Sequence, residues 1–181
     1  NVTWTASGDG GITNIDQQYK EQGVFPADIT LSRIAGSRAV ASAGLDASNQ
    51  VKLPPFVVVP GKPANMHASL SSDSVHMRGH QQINVQVSVK DAHGNAVADG
   101  TSVSFSLEGH AVITQSDEGT QGGVAQAVII GGNLPDNESA LIVRVAEMEQ
   151  RLPFTVKPLQ VRLESYPTQM EARQNFPVKA I

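Results

Sequence analysis

The sequence predicts an all-β protein made of tandem β-sandwiches, and three observations carry that prediction. Apolar residues alternate with polar ones at a period of two. Clusters of Gly, Asn, Asp and Pro interrupt these runs at the spacing of about 8–12 residues expected of short antiparallel strands. No segment keeps apolar residues at helical spacing for three turns.

Taken in order, the segments have plain physical reasons. Asn14–Glu21 is polar throughout and supports one helical turn at most. Val59-Pro-Gly-Lys-Pro-Ala64 reads as a link, because its two prolines fix φ and remove backbone donors. From Ile83 the chain runs Ile-Asn-Val-Gln-Val-Ser-Val89, a strand with one face in a core and one in water. Val103, Phe105 and Leu107 form a second such row, and Ala125, Ala127 and Ile129 a third. A less regular row spans Ile142–Ala146. Turn signals separate the rows: Asp91-Ala-His-Gly-Asn95, Asp99-Gly100, Glu118-Gly119, Gly122-Gly123 and Gly131–Asp136. In the first of these, Gly94 offers φ > 0, and Asp91 and Asn95 can bond the turn's own amides.

The rows repeat. Trp4 lies over Phe105, Gly23–Ile29 over Gly123–Ile129, Val40–Ala43 over Val143–Ala146, and Leu53-Pro-Pro-Phe56 over Leu152-Pro-Phe154. The spacing is about 100 residues, one sandwich. A second likeness has a slightly shorter spacing: Met66–Leu70 over Leu159–Leu163, and Ile83–Val87 over Phe176–Ala180. The expected organisation is therefore 1–63 as the later strands of a first unit, 64–158 as a complete unit, and 159–181 as the first strands of a further one. The chain reads as a piece of something longer. Short proline-bearing links (59–64, 157–158) favour an extended rod over beads on a string.

Composition narrows the function. The 181 residues carry 13 Lys and Arg against 17 Asp and Glu, a net charge of −4, with the cations scattered singly. A nucleic-acid binder needs a basic stripe, so nucleic acid is not an expected partner. No run approaches the ~18 apolar residues of a membrane helix, so direct membrane insertion of this segment is not expected. Cysteine is absent, which excludes disulfides, thiolate nucleophiles and Cys-ligated zinc. With aromatics at 4 %, the core must be aliphatic.

Val89-Lys-Asp-Ala-His-Gly-Asn-Ala-Val97, Val103-Ser-Phe105, Gly123-Val-Ala125 and Val143-Arg-Val-Ala146 follow one another in an order that resembles the group 1 bacterial immunoglobulin-like domains of the invasin and intimin class of surface adhesins. Pro60-Gly-Lys-Pro-Ala64 resembles the joint between such domains. The pattern departs at Gly119-Thr-Gln-Gly122, where the family carries Thr-Asp. The resemblance implies tandem immunoglobulin-like (Ig-like) sandwiches in an extracellular or cell-surface setting, anchored through regions outside this sequence. In such folds a large aromatic packs against the opposite sheet, which would be Trp4 and Phe105 here. Truncating a buried Phe105 to Ala would then cost about 3–5 kcal/mol.

Motifs that could carry chemistry are weak. His76-Met-Arg-Gly-His80 spaces two histidines for a helical metal site, but it contains Gly79, follows a strand and lacks the glutamate of His-Glu-x-x-His, so it reads as a solvated loop. His67, His93 and His110 sit alone beside turns. Asp73, Asp91, Asp99, Asp117 and Glu118 lie in or near loops without the ligand spacing of a calcium loop. The Ser69–Ser74 stretch has no nucleophile elbow. Asn1-Val-Thr3 and Asn137-Glu-Ser139 are formal glycosylation sequons, relevant only in a eukaryotic secretory pathway. No catalytic, cofactor or metal residues are assigned, and no cofactor is expected.

The function expected from these readings is a non-catalytic stalk or adhesive segment of a bacterial cell-surface or secreted Ig-like repeat protein. Its partners would be neighbouring Ig-like domains and a protein or glycan ligand on another cell. Strand exchange between chains is a further expectation, with Val161–Leu163 and Phe176–Ala180 completing another copy's first unit. The alternatives are a soluble extracellular protein- or glycan-binding factor and an accessory module of a secreted polysaccharide enzyme. Flanking gene sequence separates them: an outer-membrane barrel upstream supports the adhesin, a hydrolase domain the enzyme module.

Overall fold

A computed structural model describes residues 2–8, 11–13, 27–46, 48–79 and 81–159. Asn14–Glu21, His80, Val161–Leu163 and Phe176–Ala180 lie outside the described residues. Two compact units divide the chain. Unit 1 holds Asn1–Met66, Ser88–Thr101 and Gly119–Val124; unit 2 holds His67–Val87, Ser102–Glu118 and Ala125–Ile181. Every regular element among the described residues is a strand.

Unit 1 contains β1 (Thr3–Gly8), β2 (Gly11–Thr13), β3 (Asp28–Thr30), β4 (Arg38–Asp46), β5 (Asn49–Lys52) and β6 (Phe56–Val57). Antiparallel β1, β4 and β5 form one sheet in that order, β6 pairs with the start of β4, and β2 pairs with β3. Ala39 and Ala41 on β4 are buried.

Most of the remaining strands lie in unit 2: β7 (Asn65–Leu70), β8 (Ser74–His76), β9 (Gln82–Lys90), β10 (Ser104–Glu108), β11 (Ala111–Ser116), β12 (Val124–Gly131), β13 (Ala140–Val145), β14 (Met148–Pro153) and β15 (Thr155–Lys157). Residues 65–66, 88–90 and 124 of these strands fall in unit 1. One sheet has the order β11-β12-β9-β7, another β10-β13-β14, and β15 runs parallel to β8. Alternation works as the sequence predicts: Ile83, Val85, Val87 and Val89 turn inward from β9, and Ala125, Ala127 and Ile129 from β12. Leu141, Val143 and Val145 of β13 are likewise buried, with Val75 and Val156 from β8 and β15. Each fully buried Val, Leu or Ile contributes about 1.5–3 kcal/mol, so this aliphatic set supplies the cohesion that no disulfide provides.

The sequence repeat is a repeat of pairing. Trp4 stands opposite Ala43 in unit 1 as Phe105 stands opposite Val143 in unit 2. Ile12 pairs with Ile29 as Ile113 pairs with Ile129. The strand ends match too, with Gly8 at φ 89° and Gly109 at φ 95°, each so close to its neighbours that a Cβ would collide with them. One sequence alignment is corrected: Ala43 corresponds to Val143, not to Ala146. The shift of three is odd, so the sequence match had exchanged the two faces of the strand.

The aromatic expectation is also corrected. Trp4 and Phe105 are only half-buried, because β1 and β10 are outer strands of their sheets with one neighbour each. Among the described residues the buried aromatic is Phe154, 2 % exposed, whose N–H donates to the Ser139 carbonyl at 2.9 Å. A polar tie also crosses unit 2. The Gln150 side chain on β14 accepts from Ala68 N–H (2.8 Å) and donates to the Ala68 carbonyl (3.1 Å), so it fits against β7 as a strand would. Phe154→Ala is expected to cost about 3–5 kcal/mol and Phe105→Ala clearly less. Urea unfolding of the two variants checks this, and an equal loss would contradict the packing described.

Candidate functional site

The densest polar arrangement in unit 1 is built on Asp91. Strand β9 ends at Lys90, and the chain reverses through Asp91–Asn95 before Ala96 bridges back to Lys90. Gly94, at φ 86°, supplies the left-handed residue this reversal requires. Gly94 N–H donates to the Asp91 carbonyl at 3.1 Å, and Asp91 N–H to the Asn95 carbonyl at 2.9 Å. The carboxylate then closes the turn: Oδ1 accepts from His93 N–H (2.8 Å) and Asn95 N–H (2.9 Å).

Its second oxygen reaches out of the turn. Asp91 Oδ2 accepts from Gly61 N–H at 2.9 Å and from Asn95 Nδ2 at 2.9 Å. Asn95 extends the network, with Nδ2 donating to the Arg33 carbonyl (2.8 Å) and Oδ1 accepting from Ala35 N–H (3.0 Å). Asn65 Nδ2 donates to the Asp91 carbonyl at 3.4 Å. The proline link and the turn at 91–95 thus meet on the carboxylate of Asp91, a residue 2 % exposed, and the Asn95 side chain adds the loop at 33–35.

Electrostatics follow from the donors. The Asn95 amide and then the Gly61 N–H hold the Asp91 carboxyl well below the usual carboxylate range; burial opposes them, and the Asn95 and His93 N–H groups add to the lowering. Asp136 in unit 2 is lowered as well, by Glu138 N–H and the Ser139 hydroxyl first, against burial, with help from His110. Its Oδ1 accepts from Glu138 N–H at 2.9 Å, and its Oδ2 accepts from the Ser139 hydroxyl at 2.9 Å and His110 N–H at 3.3 Å.

The other acidic residues considered for calcium are spent on turns or stand alone. Asp99 Oδ1 accepts from Gly122 N–H at 2.7 Å, and Asp117 Oδ2 from Gln126 N–H at 2.8 Å. Asp73 is exposed and accepts Thr155 N–H on its backbone carbonyl, as Glu118 does for Val103. His76 Nδ1 lies 3.2 Å from the Pro158 carbonyl. Among the described residues, no three His, Asp or Glu side chains come together as metal ligands. No helix among them is long and apolar enough to cross a membrane.

Comparison with solved structures places the fold. Over 90 % of its length the chain superposes on invasin, a bacterial integrin-binding protein, with a TM-score of 0.61 and 16 % identity, covering 33 % of that protein. The Escherichia coli adhesin FdeC matches over 90 % of the chain and 54 % of its own length, at a TM-score of 0.57 and 21 % identity. Yersinia pseudotuberculosis InvD matches over 98 % of the chain and 50 % of its own, at 0.57 and 18 %. The fold is the Ig-like sandwich of bacterial adhesins. No protein-family model matches the chain, and no curated protein does. This Ig-like chain spans about half the length of FdeC and InvD.

Sequence reasoning found the Asp91 turn but not its reach, since nothing local signals that Asp91 and Asn95 also hold residues 61, 33 and 35. The pH dependence of stability follows from the sign of the shifts. Asp91 and Asp136 are lowered in the folded state, so their stabilisation is complete above the unfolded carboxylate pKa of about 3.9 and is lost as pH falls below it. Asp91→Asn is expected to lower Tm at pH 7 and to shrink the further fall in Tm between pH 6 and pH 3. Asp99→Asn, which loosens one exposed turn bond, is expected to do much less of either. Thermal unfolding against pH measures both, and an undiminished acid slope in Asp91→Asn would contradict the assignment.

Proposed function

We propose that this chain is a non-catalytic structural and adhesive segment of a bacterial cell-surface Ig-like repeat protein. The observation that carries the reading is the Asp91 network, which fixes a proline link by its own backbone rather than leaving it free. A segment that holds a ligand-binding region away from the cell must resist bending and pulling at its links. Buried charge-assisted hydrogen bonds provide that resistance without a metal or a disulfide. Likeness to invasin and FdeC supports an adhesive setting at the bacterial surface. The domain organisation that suits this role is 1–63, 64–158 and 159–181, with the link at 59–64 between the first two. Its ligand is a protein or glycan on another cell, met through loops or exposed strand edges.

Displayed on a non-adherent bacterium through an outer-membrane anchor, the chain is expected to raise attachment to cultured epithelial cells above the anchor alone. Attachment no greater than that of the anchor contradicts the adhesive part of the reading.

A further inference from the structure

The two outer faces of the unit 2 sandwich differ in chemistry. On the β10-β13-β14 sheet the charged side chains are spent on one another: Arg144 pairs with Glu149 at 2.6 Å and Arg151 with Glu108 at 3.1 Å. Strands of the β11-β12-β9-β7 sheet contribute no Asp, Glu, Lys or Arg within unit 2, and His67 is the one ionisable residue on them. Charged residues ordinarily make up about a quarter to a third of a soluble surface. Here amides and hydroxyls take their place.

A groove of about 250 Å³ crosses this face over β7, β9 and β12. Exposed Ser69, Asn84, Gln86 and Gln126 line it together with half-buried Val128. Their direction is set by the strand period, because the neighbours Ala68, Val85, Ala125 and Ala127 are buried in the core. Ser71 Oγ accepts from Asn84 N–H at 2.8 Å and holds the rim. Asn84 Oδ1 has a single long bond, from Gln82 Nε2 at 3.4 Å. Among the described residues the side-chain amides of Gln86 and Gln126 have no hydrogen-bond partner. Each therefore offers two donors and an acceptor to whatever enters the groove.

This pattern selects a class of ligand. A sugar ring carries hydroxyls around its rim, each both donor and acceptor, and C–H groups on its faces. The amides and the Ser69 hydroxyl suit the first, and the Val128 methyls the second. An anion finds no Lys or Arg here and meets the Asp117 carboxylate, which accepts from Gln126 N–H at 2.8 Å. A protein partner is better met by the aromatic and Arg side chains that interface cores favour, and the groove has neither. We infer that this groove binds a neutral saccharide. The inference narrows the ligand of the adhesive reading and rests on that reading only for where the saccharide is met.

Purified chain is applied to an array of neutral host-type and bacterial oligosaccharides beside their sialylated and sulfated counterparts. The strongest neutral binder is then titrated into isotope-labelled chain and followed by NMR. Neutral glycans are expected to bind, and the Gln86 and Gln126 side-chain amide resonances to shift on titration. Gln86→Ala and Gln126→Ala, both at exposed sites, are each expected to weaken binding about fivefold, the worth of one hydrogen bond. Ser104→Ala, on the other sheet, is expected to leave it unchanged. Absence of binding, binding confined to sialylated or sulfated glycans, or binding that moves neither amide resonance and is indifferent to both variants overturns the inference. Binding on the array without attachment of the displayed chain to cells supports the inference and contradicts the adhesive reading. Attachment without binding on the array does the reverse.

Discussion

A carboxylate withdrawn from water has to replace its hydration with donors, and at Asp91 those donors tie separate stretches of chain together. Two come from its own turn, one from Gly61 in the proline link, and one from Asn95, which itself holds Arg33 and Ala35. Losing any partner leaves a buried charge or amide short of a bond, which costs more than the bond is worth on the surface. The geometry is thus over-determined. Prolines alone would limit the link's dihedrals; the Asp91 carboxylate also holds Gly61 between them.

The sandwich in unit 2 shows how an Ig-like fold does without its usual disulfide. Aliphatic side chains from β9, β12 and β13 fill the interior, and among the described residues Phe154 is the one aromatic that is buried. Gln150 adds a directional tie by offering its amide to both backbone groups of Ala68. Such a tie also occupies part of the β7 edge, which would otherwise invite another strand. Only the second depends on a residue whose type alone would assign it to the surface.

Much of the fold was legible because period-two alternation is a direct record of one wet face and one dry face. The β9 row and the Asp91 turn follow from that record and from turn chemistry. What escaped was long-range. Strand β15 pairs in parallel with β8, about 80 residues earlier in the chain, and neither segment is long enough to show a period. Gln150 carries no local signal for its role, since its partner, Ala68, lies far away in sequence. Trp4 and Phe105 were assigned to the core from the strand position where Ig-like folds bury a large aromatic, but their strands lie at the outside of their sheets, where one flank stays open. The repeat was visible, yet small residues on β4 matched β13 in two registers, and only the strand pairing chose between them.

Hydrogen exchange at the Gly61 amide is the most direct measure of whether Asp91 holds the link. Gly61 is exposed and belongs to no strand, so without the Asp91 bond its N–H would exchange at the rate of an unstructured peptide. The Asp91 network predicts strong protection of Gly61 and Ala35 in the native chain, with Gly61 losing it in Asp91→Asn and Ala35 in Asn95→Ala. Unprotected exchange at Gly61 in the native chain would contradict it.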